Sequence, residues 1–319
     1  MKNLLITGGN GLLGSALKLL CPDAVFVTSR DADLRDVTQV RALFQKVRPA
    51  RVLHLAAKVG GVRVNAEHNA DLFTDNLQIN TNVLSVACEV GVSRLISLLS
   101  SCAFKLYSDR SSGEEDLHVD APFEGNLGYG YSKRMLDVHT KLLRNQYGCR
   151  FSTIAPVTMY GPHDNFDLEE GHVISSLIHK GMLAKKQGRT LEVWGGGQAI
   201  RQFVYVEDVA KVLKEMLDFY DGPETVIVSS DNGVTIKSLV AAIVEIMGFE
   251  GKVEFDKTKP EGILVKRLKS NTFNQRFPEF SFTPLTKGLR KTIGWFQQHR
   301  TPEILPPSSG SSQKSMEFV

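Results

Sequence analysis

Ser100, Ser101 and Cys102 stand together, and after a polar loop of about 26 residues come Tyr129 and Lys133. Helical residues four apart are neighbours, so a helix here puts Tyr129 and Lys133 on one face. A phenol beside an ammonium has its ionised form favoured, and its pKa is expected to fall toward the range of a working proton donor. Ser100, delivered from a strand end, can hydrogen-bond the oxygen that the Tyr protonates. Cys102 adds a softer acid or base. Together these groups suit proton transfer at a carbonyl or alcohol. Tyr107 and Tyr131 are rival acids, but neither has a Lys four residues later.

These side chains need a scaffold. Lys2–Thr7 is a short apolar run, followed by Gly8, Gly11 and Gly14 in a G-x-x-G-x-x-G spacing and by helical Ser15–Leu20. A strand, a glycine turn and a helix form a dinucleotide fingerprint: glycine admits the pyrophosphate, and the helix N-terminus faces its charge. Ala24–Thr28 reads as the second strand and ends at Ser29 and Arg30. An acidic residue at that point reads a ribose 2′-OH, whereas Arg suits a 2′-phosphate, so Arg30 favours NADP over NAD. Asp33 is expected nearer the adenine. Arg51–Leu55 is a third strand running into Ala56 and Ala57, small enough for a dinucleotide to lie against. Asp71–Val90 reads as a long helix, and Leu95–Leu99 as the strand that presents Ser100 at its carboxyl end, where open α/β sheets bind ligands.

The helix carrying Tyr129 and Lys133 runs to about Tyr147, and Phe151–Pro156 is the next strand. Strand and helix alternate through the first 160 residues. The fold class is therefore α/β, with a Rossmann-type doubly wound parallel sheet. Later come helical His172–Ala184, strand Leu191–Trp194, strand Phe203–Val206, helix Val209–Phe219, strand Val226–Ser229 and helix Ile236–Met247. Lys257–Arg267 reads as a charged loop, and helix Thr286–His299 closes the fold. The expected division is a dinucleotide-binding domain over 1–160 with 199–230 returning to it, and a smaller C-terminal α/β substrate-binding domain over 161–198 and 231–299. Residues 300–319 read as a disordered tail.

The chain has 319 residues, 42% hydrophobic and 23% charged, with 38 basic against 35 acidic side chains. That near balance gives no case for nucleic acid or membrane as partner. The chain starts on a strand, without a charged-then-apolar signal segment, and no apolar run approaches a membrane span. Cys21, Cys88, Cys102 and Cys149 lack metal-ligand spacing, so no metal is expected. Free thiols in a reducing cytoplasm are expected.

The fingerprint at residue 8, Ser100 at a strand end and Tyr129-x-x-x-Lys133, in this order, resemble the extended short-chain dehydrogenase/reductase family of nucleotide-sugar enzymes. Five local strings narrow the likeness: Leu55–Gly61, Ser100–Cys102, Tyr160–Phe166, Gly171–Val173 and Val193–Gly195 with Arg201. They resemble the branch that makes GDP-L-fucose from GDP-4-keto-6-deoxy-D-mannose, and the likeness covers residues 2 to 299. It implies epimerisation on both sides of the ketone, then reduction of the 4-ketone with NADPH. A dehydratase of this family would have acidic residues where Ser101 and Cys102 stand, and a non-catalytic relative would lack the Tyr or the Lys.

By this resemblance Ser100, Tyr129 and Lys133 serve reduction, with Lys133 holding the nicotinamide ribose and lowering the Tyr129 pKa. Cys102 and His172 are the acid and base of epimerisation, with His163 and His179 as nearby competitors for the His role. NADP(H) is expected against Gly8, Gly11, Leu12, Leu13, Gly14, Arg30, Asp33, Leu34, Ala56, Ala57, Tyr129, Lys133, Pro156 and His172. The GDP-sugar is expected against Asn165, Val173, Lys180, Trp194, Arg201 and Lys266. A homodimer through the helices at Asp71–Val90 and Tyr129–Tyr147 is expected. Two departures stand out. Leu12 occupies a turn where some members carry an Arg for the NADP phosphate, which leaves more of the discrimination to Arg30. Thr158 stands where an Asn is usual.

Overall fold

The computed structural model describes residues 3–168, 170–230, 233–259 and 262–300. Its frame is set by β1 (Leu4–Thr7), whose residues are all buried. Leu4 and Ile6 face one core, and Leu5 between them faces another. Successive strand side chains point to opposite faces, so a strand apolar at every position must be covered on both. The chain continues with α1 (Leu12–Leu20), β2 (Val25–Val27), α2 (Val37–Val47), β3 (Arg51–His54), α3 (Val62–Glu67), α4 (Asn69–Glu89) and β4 (Arg94–Leu98). Then follow α5 (Leu127–Tyr147), β5 (Phe151–Pro156), β6 (Thr158–Tyr160), α6 (Val173–Gln187), β7 (Leu191–Trp194), β8 (Ile200–Arg201), β9 (Phe203–Tyr205), α7 (Val206–Phe219) and β10 (Val226–Val228). β11 (Val234–Thr235), α8 (Ile236–Met247), β12 (Val253–Asp256), β13 (Val265–Lys266), α9 (Asn271–Arg276) and α10 (Leu285–His299) complete it.

Six strands form a parallel sheet in the order β10-β5-β4-β3-β1-β2, with Leu5 level with both Val25 and Val52. On one face α1 and α7 bring Leu13, Leu17, Val209, Leu213 and Met216 against Leu4 and Ile6. On the other, α2, α4 and α5 bring Phe44, Val83 and Leu136 against Leu5, Val52 and Leu95. This is the doubly wound α/β fold. The chain leaves β1 toward β2 on one side and returns to β3 on the other, which opens a crevice at their carboxyl ends.

A second core gathers Ile174 and Ile178 of α6, Val193 of β7, Leu239 and Ile243 of α8, and Ile293 and Phe296 of α10. Small sheets edge it: β7 with β12, β6 with β9, and β8 between β11 and β13. The segment after β13 departs from the expected division. Leu268 and Phe273 sit in the first core, with Phe277, Phe280 and Phe282 packed on it. The reason is local pairing: Ser112 and Leu268 form a β-bridge, and the Ser112 carbonyl accepts from the Lys269 amide. Three further elements depart from expectation. α1 begins at Leu12 and α7 at Val206, each a turn earlier than periodicity places them, and β13 ends the supposed loop at 257–267. The expected tail lies outside the described residues, apart from Arg300. Among the described residues no helix is long and apolar enough to cross a membrane.

Asp137 pins α5 to the sheet. It is fully buried; its Oδ1 accepts from Thr153 and Thr225 at 3.0 and 2.9 Å, and its Oδ2 meets His118 and Lys141 at 2.7 and 2.8 Å. Burial alone would raise its pKa, but those partners hold it below the usual carboxylate range. Removing one side of such a network costs about 3 kcal/mol. Asp137→Ala is expected to lower the melting temperature at pH 7 by about 10 °C. A lowered carboxylate stabilises the fold above its unfolded pKa, so the deficit should shrink as the pH falls through the acid range. An unchanged melting temperature at pH 7 would contradict this reading.

Candidate active site

The crevice at the carboxyl ends of β1 and β3 is lined by backbone. Gly8 has φ +73°, and a Cβ there would come within 2.9 Å of the Ala56 nitrogen. A Cβ on Gly14 would fall on the Gly8 carbonyl oxygen. Gly11 is the N-cap of α1, and among the described residues no side chain caps this helix N-terminus. Glycine at these places makes a cradle for an anion at a helix N-terminus. Leu12 and Leu13 turn inward to the core, as do Leu34, Ala56, Ala57 and Pro156. Arg30 is exposed past the end of β2. Asp33 is already engaged, with Arg35 Nη2 at 2.8 Å and Nε at 3.0 Å from its carboxylate.

β4 delivers Ser100, which caps a short 3-10 turn (Ser101–Ala103) by accepting from the Cys102 amide at 3.2 Å. α5 brings Tyr129 to the same place, where the Ser100 hydroxyl lies close enough to favour the ionised phenol. The Tyr–Lys spacing behaves differently from expectation. Lys133 is only 2% exposed, and its ammonium donates to the Leu98 carbonyl at 2.8 Å. It lies 5.7 Å from the centre of the Tyr129 ring. Burial pushes Lys133 down to about 7. Tyr129 is pushed up rather than down, by burial first and then by the neighbouring Cys102, with the Ser100 hydroxyl opposing. The i,i+4 spacing makes the two side chains neighbours, but a strand carbonyl takes the ammonium.

Behind Lys133 runs a polar chain that the sequence did not flag. Thr7 Oγ1 lies 2.8 Å from His54 Nδ1, and His54 Nε2 lies 3.1 Å from Asn80 Oδ1. Asn80 Nδ2 donates to the Ser132 carbonyl at 3.4 Å, and Thr7 Oγ1 accepts from the Ala56 amide at 3.3 Å. Burial and then the charge of Lys133 push His54 down to about 3, against the Asn80 bond. A neutral His54 thereby links the floor of the crevice to the helix of Lys133. The visible sequence signal is Asn76 and Asn80, polar residues placed on the buried face of α4.

Cys102 is reached from β13. Lys266, on β13, donates to its sulfur at 3.4 Å. His172 is the N-cap of α6. His172 is about half exposed, 53% by side chain, and a hydrogen bond to Asp164 holds its pKa above the ordinary value, against the charge of Lys266. Lys266 thus stands in contact with Cys102 and within electrostatic reach of His172. The competing histidines are engaged elsewhere: His163 packs tilted against Trp295 with ring centres 4.6 Å apart, and His179 Nδ1 meets the Phe166 carbonyl at 2.7 Å.

Trp194 points out of β7 and is 48% exposed, with Lys180 4.7 Å above its ring. Val173 opens α6 and is partly buried. Arg201, on β8, is level with Lys266 on β13 and donates to its neighbouring Ile200 carbonyl at 2.9 Å. Asn165 is exposed, and its Oδ1 accepts from the Asp167 amide at 3.0 Å, so its carbonyl end is committed to its own loop.

The model of the NAD dependent epimerase/dehydratase family matches residues 4–228. The GDP-L-fucose synthase of Dictyostelium discoideum is 35% identical over 92% of this chain and 95% of that protein. The chain belongs to this family, in its GDP-L-fucose synthase branch. The probable GDP-L-fucose synthase of Drosophila melanogaster is 33% identical over 93% of this chain and 97% of that protein. Among solved structures, a GDP-L-fucose synthetase from Naegleria fowleri bound to NADP superposes with a TM-score of 0.87 at 33% identity, covering 92% of each chain. The family match spans the whole six-stranded sheet.

Lys133 has a testable consequence. A lysine whose folded pKa lies below its unfolded value is neutral in the fold and charged when unfolded over that interval, so stability rises with pH from about 7 toward 10.5. Lowering a pKa by one pH unit on folding costs the charged form about 1.4 kcal/mol. Lys133→Met should therefore stabilise the ligand-free protein at pH 6, with the gain shrinking to nothing near pH 10.5. Denaturant unfolding of both proteins across that range checks it. A pH-independent difference would contradict the burial of an ammonium without a counter-charge.

Proposed function

We propose that this chain converts GDP-4-keto-6-deoxy-D-mannose to GDP-L-fucose, by epimerisation at both carbons flanking the ketone and NADPH-dependent reduction of the 4-ketone. One observation carries the reading furthest: Lys266 donates to the Cys102 sulfur at the end of β4, where Ser100 and the Tyr129 phenol also meet, and its charge acts on His172.

The residues fit a dinucleotide phosphate. Side chains at Gly8 or Gly14 would fill the cradle, and the first turn of α1 is open to an anion. Asp33 is held by Arg35 and is poorly placed to accept from a ribose 2′-OH. Exposed Arg30 is suited to a 2′-phosphate, which supports NADP over NAD despite Leu12. Leu12, Leu13, Leu34, Ala56, Ala57 and Pro156 supply the walls in this reading, and His172, Tyr129 and Lys133 the nicotinamide end. When bound, NADPH supplies the hydride for the 4-ketone.

Protons beside a ketone are acidic because the carbanion spreads onto the oxygen as an enolate. Ser100 and Tyr129 hold that oxygen, each such donor being worth about 3 kcal/mol. Cys102 and His172 remove and return protons at the flanking carbons; an inversion needs one group on each side. A Tyr129 kept protonated by burial is a phenol ready to give its proton to the new alkoxide. Lys133, near neutrality in its pKa, can pass a proton behind it. Trp194 offers a stacking face, and Lys180, Arg201 and Lys266 offer cations for the diphosphate. Asn165 and Val173 complete the proposed sugar contacts.

The division into domains is also a proposal: 1–160 with 199–230 for the dinucleotide, and 161–198 with 231–299 for the sugar nucleotide. The first core's hold on Leu268 and Phe273 supports moving that segment to the first domain. A homodimer through α4 and α5 is supported by Met135 and Leu142, seven residues apart on α5 and both exposed, the latter by 58%. A reducing, cytoplasmic setting, in which the thiols stay free, belongs to the same reading.

Two experiments test these readings. With the keto-sugar and NADPH, Tyr129→Phe should retain cofactor binding and lose reduction by at least about 100-fold. Cys102→Ser and His172→Gln should suppress exchange of solvent deuterium into the sugar. No NADPH consumption by the wild type would contradict the function, and normal exchange in both variants would contradict the acid–base pair. Separately, Leu142→Glu should shift a sedimentation profile from dimer to monomer, and an unshifted profile would remove this interface.

A further inference from the structure

Among the described residues, Asp164 is the carboxylate that meets the histidine proposed for epimerisation, and membership of the family gives it no task. Its side chain is 3% exposed. It follows Gly161-Pro162-His163, where a Pro at the second turn position and a positive φ of 67° at His163 mark a type II turn. The ring of this left-handed residue packs, tilted, against Trp295. This turn sends the carboxylate inward. Oδ1 accepts from the Asn165 amide at 2.8 Å and lies 3.5 Å from His172 Nδ1. Oδ2 is buried and has no hydrogen-bond partner among the described residues.

A loop staple alone does not account for this arrangement. Accepting from the Asn165 amide needs one oxygen, and a neutral amide side chain would serve without burying a charge. A buried carboxylate with an unpaired oxygen is costly unless a positive charge stands beside it. The titratable group in contact is His172. Lys266, the other charged group acting on that ring, comes from β13 and also touches Cys102.

We propose that Asp164 is a positioning residue for epimerisation: its buried carboxylate holds the His172 ring by Nδ1 and leaves Nε2 as the atom that exchanges protons with the sugar. This rests on the proposed function of the same site. In the protonating direction the Nε2–H bond breaks, a C–H bond forms at the enolate carbon, and the imidazolium becomes neutral. The Nδ1 proton stays on the ring and is donated to Asp164 throughout, so the ring keeps one tautomer and one orientation. The direction in which the His172 pKa moves agrees with this contact. Long hydrogen bonds of this kind tighten when substrate binds.

The test uses the full chain and two readouts. By NMR, with the His172 signal assigned from His172→Gln, the wild-type imidazole should titrate above 6.5, and Asp164→Asn should bring the midpoint down. In D₂O without NADPH, Asp164→Asn should slow deuterium exchange into GDP-4-keto-6-deoxy-D-mannose by about tenfold or more in kcat, with KM and NADPH binding little changed. The rate lost by His172→Gln should not grow further in the Asp164→Asn/His172→Gln double variant. A wild-type midpoint at or below 6.5, an unchanged exchange rate in Asp164→Asn, or fully multiplicative losses in the double variant would each overturn the proposal. If Asp164→Asn does not fold, the wild-type midpoint decides. If the wild type shows no exchange while the midpoint moves as expected, the proposed function falls and the Asp164–His172 coupling stands.

Discussion

An ammonium buried with only a carbonyl to bond is the constraint on which the site depends. Lys133 is held by Leu98 at the end of β4, under the ring of Tyr129. Desolvating a charge without a counter-charge is expensive, so the neutral form is favoured and the pKa falls to about 7. Two neighbours follow from it. His54 is kept neutral by its burial and by the Lys133 charge. Tyr129 gains no ion pair from a lysine turned toward the strand, and stays protonated. In the proposed reading a protonated phenol can lose its proton to the new alkoxide and have it replaced from Lys133, part of which is ammonium at neutral pH because its pKa is about 7.

The second core matters because it brings charge to the same strand end. β13 is two residues long, yet its pairing with β8 carries Lys266 to the Cys102 sulfur and keeps Arg201 level with it. α6 starts at His172, so the histidine sits where the helix begins and its orientation falls to the turn before it. In the proposed reading, reduction stands on the parallel sheet, whereas epimerisation also draws on Lys266 of β13 and His172 at the start of α6. In this reading one cleft performs both because the Ser100–Tyr129 hydroxyls serve the same oxygen in each stage.

Much of the fold is legible in the sequence. Val37–Val47, Phe151–Pro156, Leu191–Trp194 and Ile236–Met247 are read to the residue from apolar pattern and punctuation. β8, β11 and β13 are not, since a two-residue strand is defined by its partner rather than by any period. α3 and α9, six residues each, are too short for helical periodicity to speak. At the site, residue spacing makes Tyr129 and Lys133 neighbours, but the direction of the ammonium depends on a carbonyl 35 positions away. Asp164 is visible only as a letter in a string. Its meaning depends on burial, which a local string does not carry.

The most direct measurement is a turnover with NADPH in D₂O, followed by locating hydrogen isotopes on the sugar of the product. One cleft performing both stages predicts solvent deuterium at both carbons flanking the new hydroxyl and cofactor-derived hydrogen at the carbon that bears it. A reduced product carrying no solvent deuterium at either flanking carbon would make this chain a plain reductase and contradict the shared site.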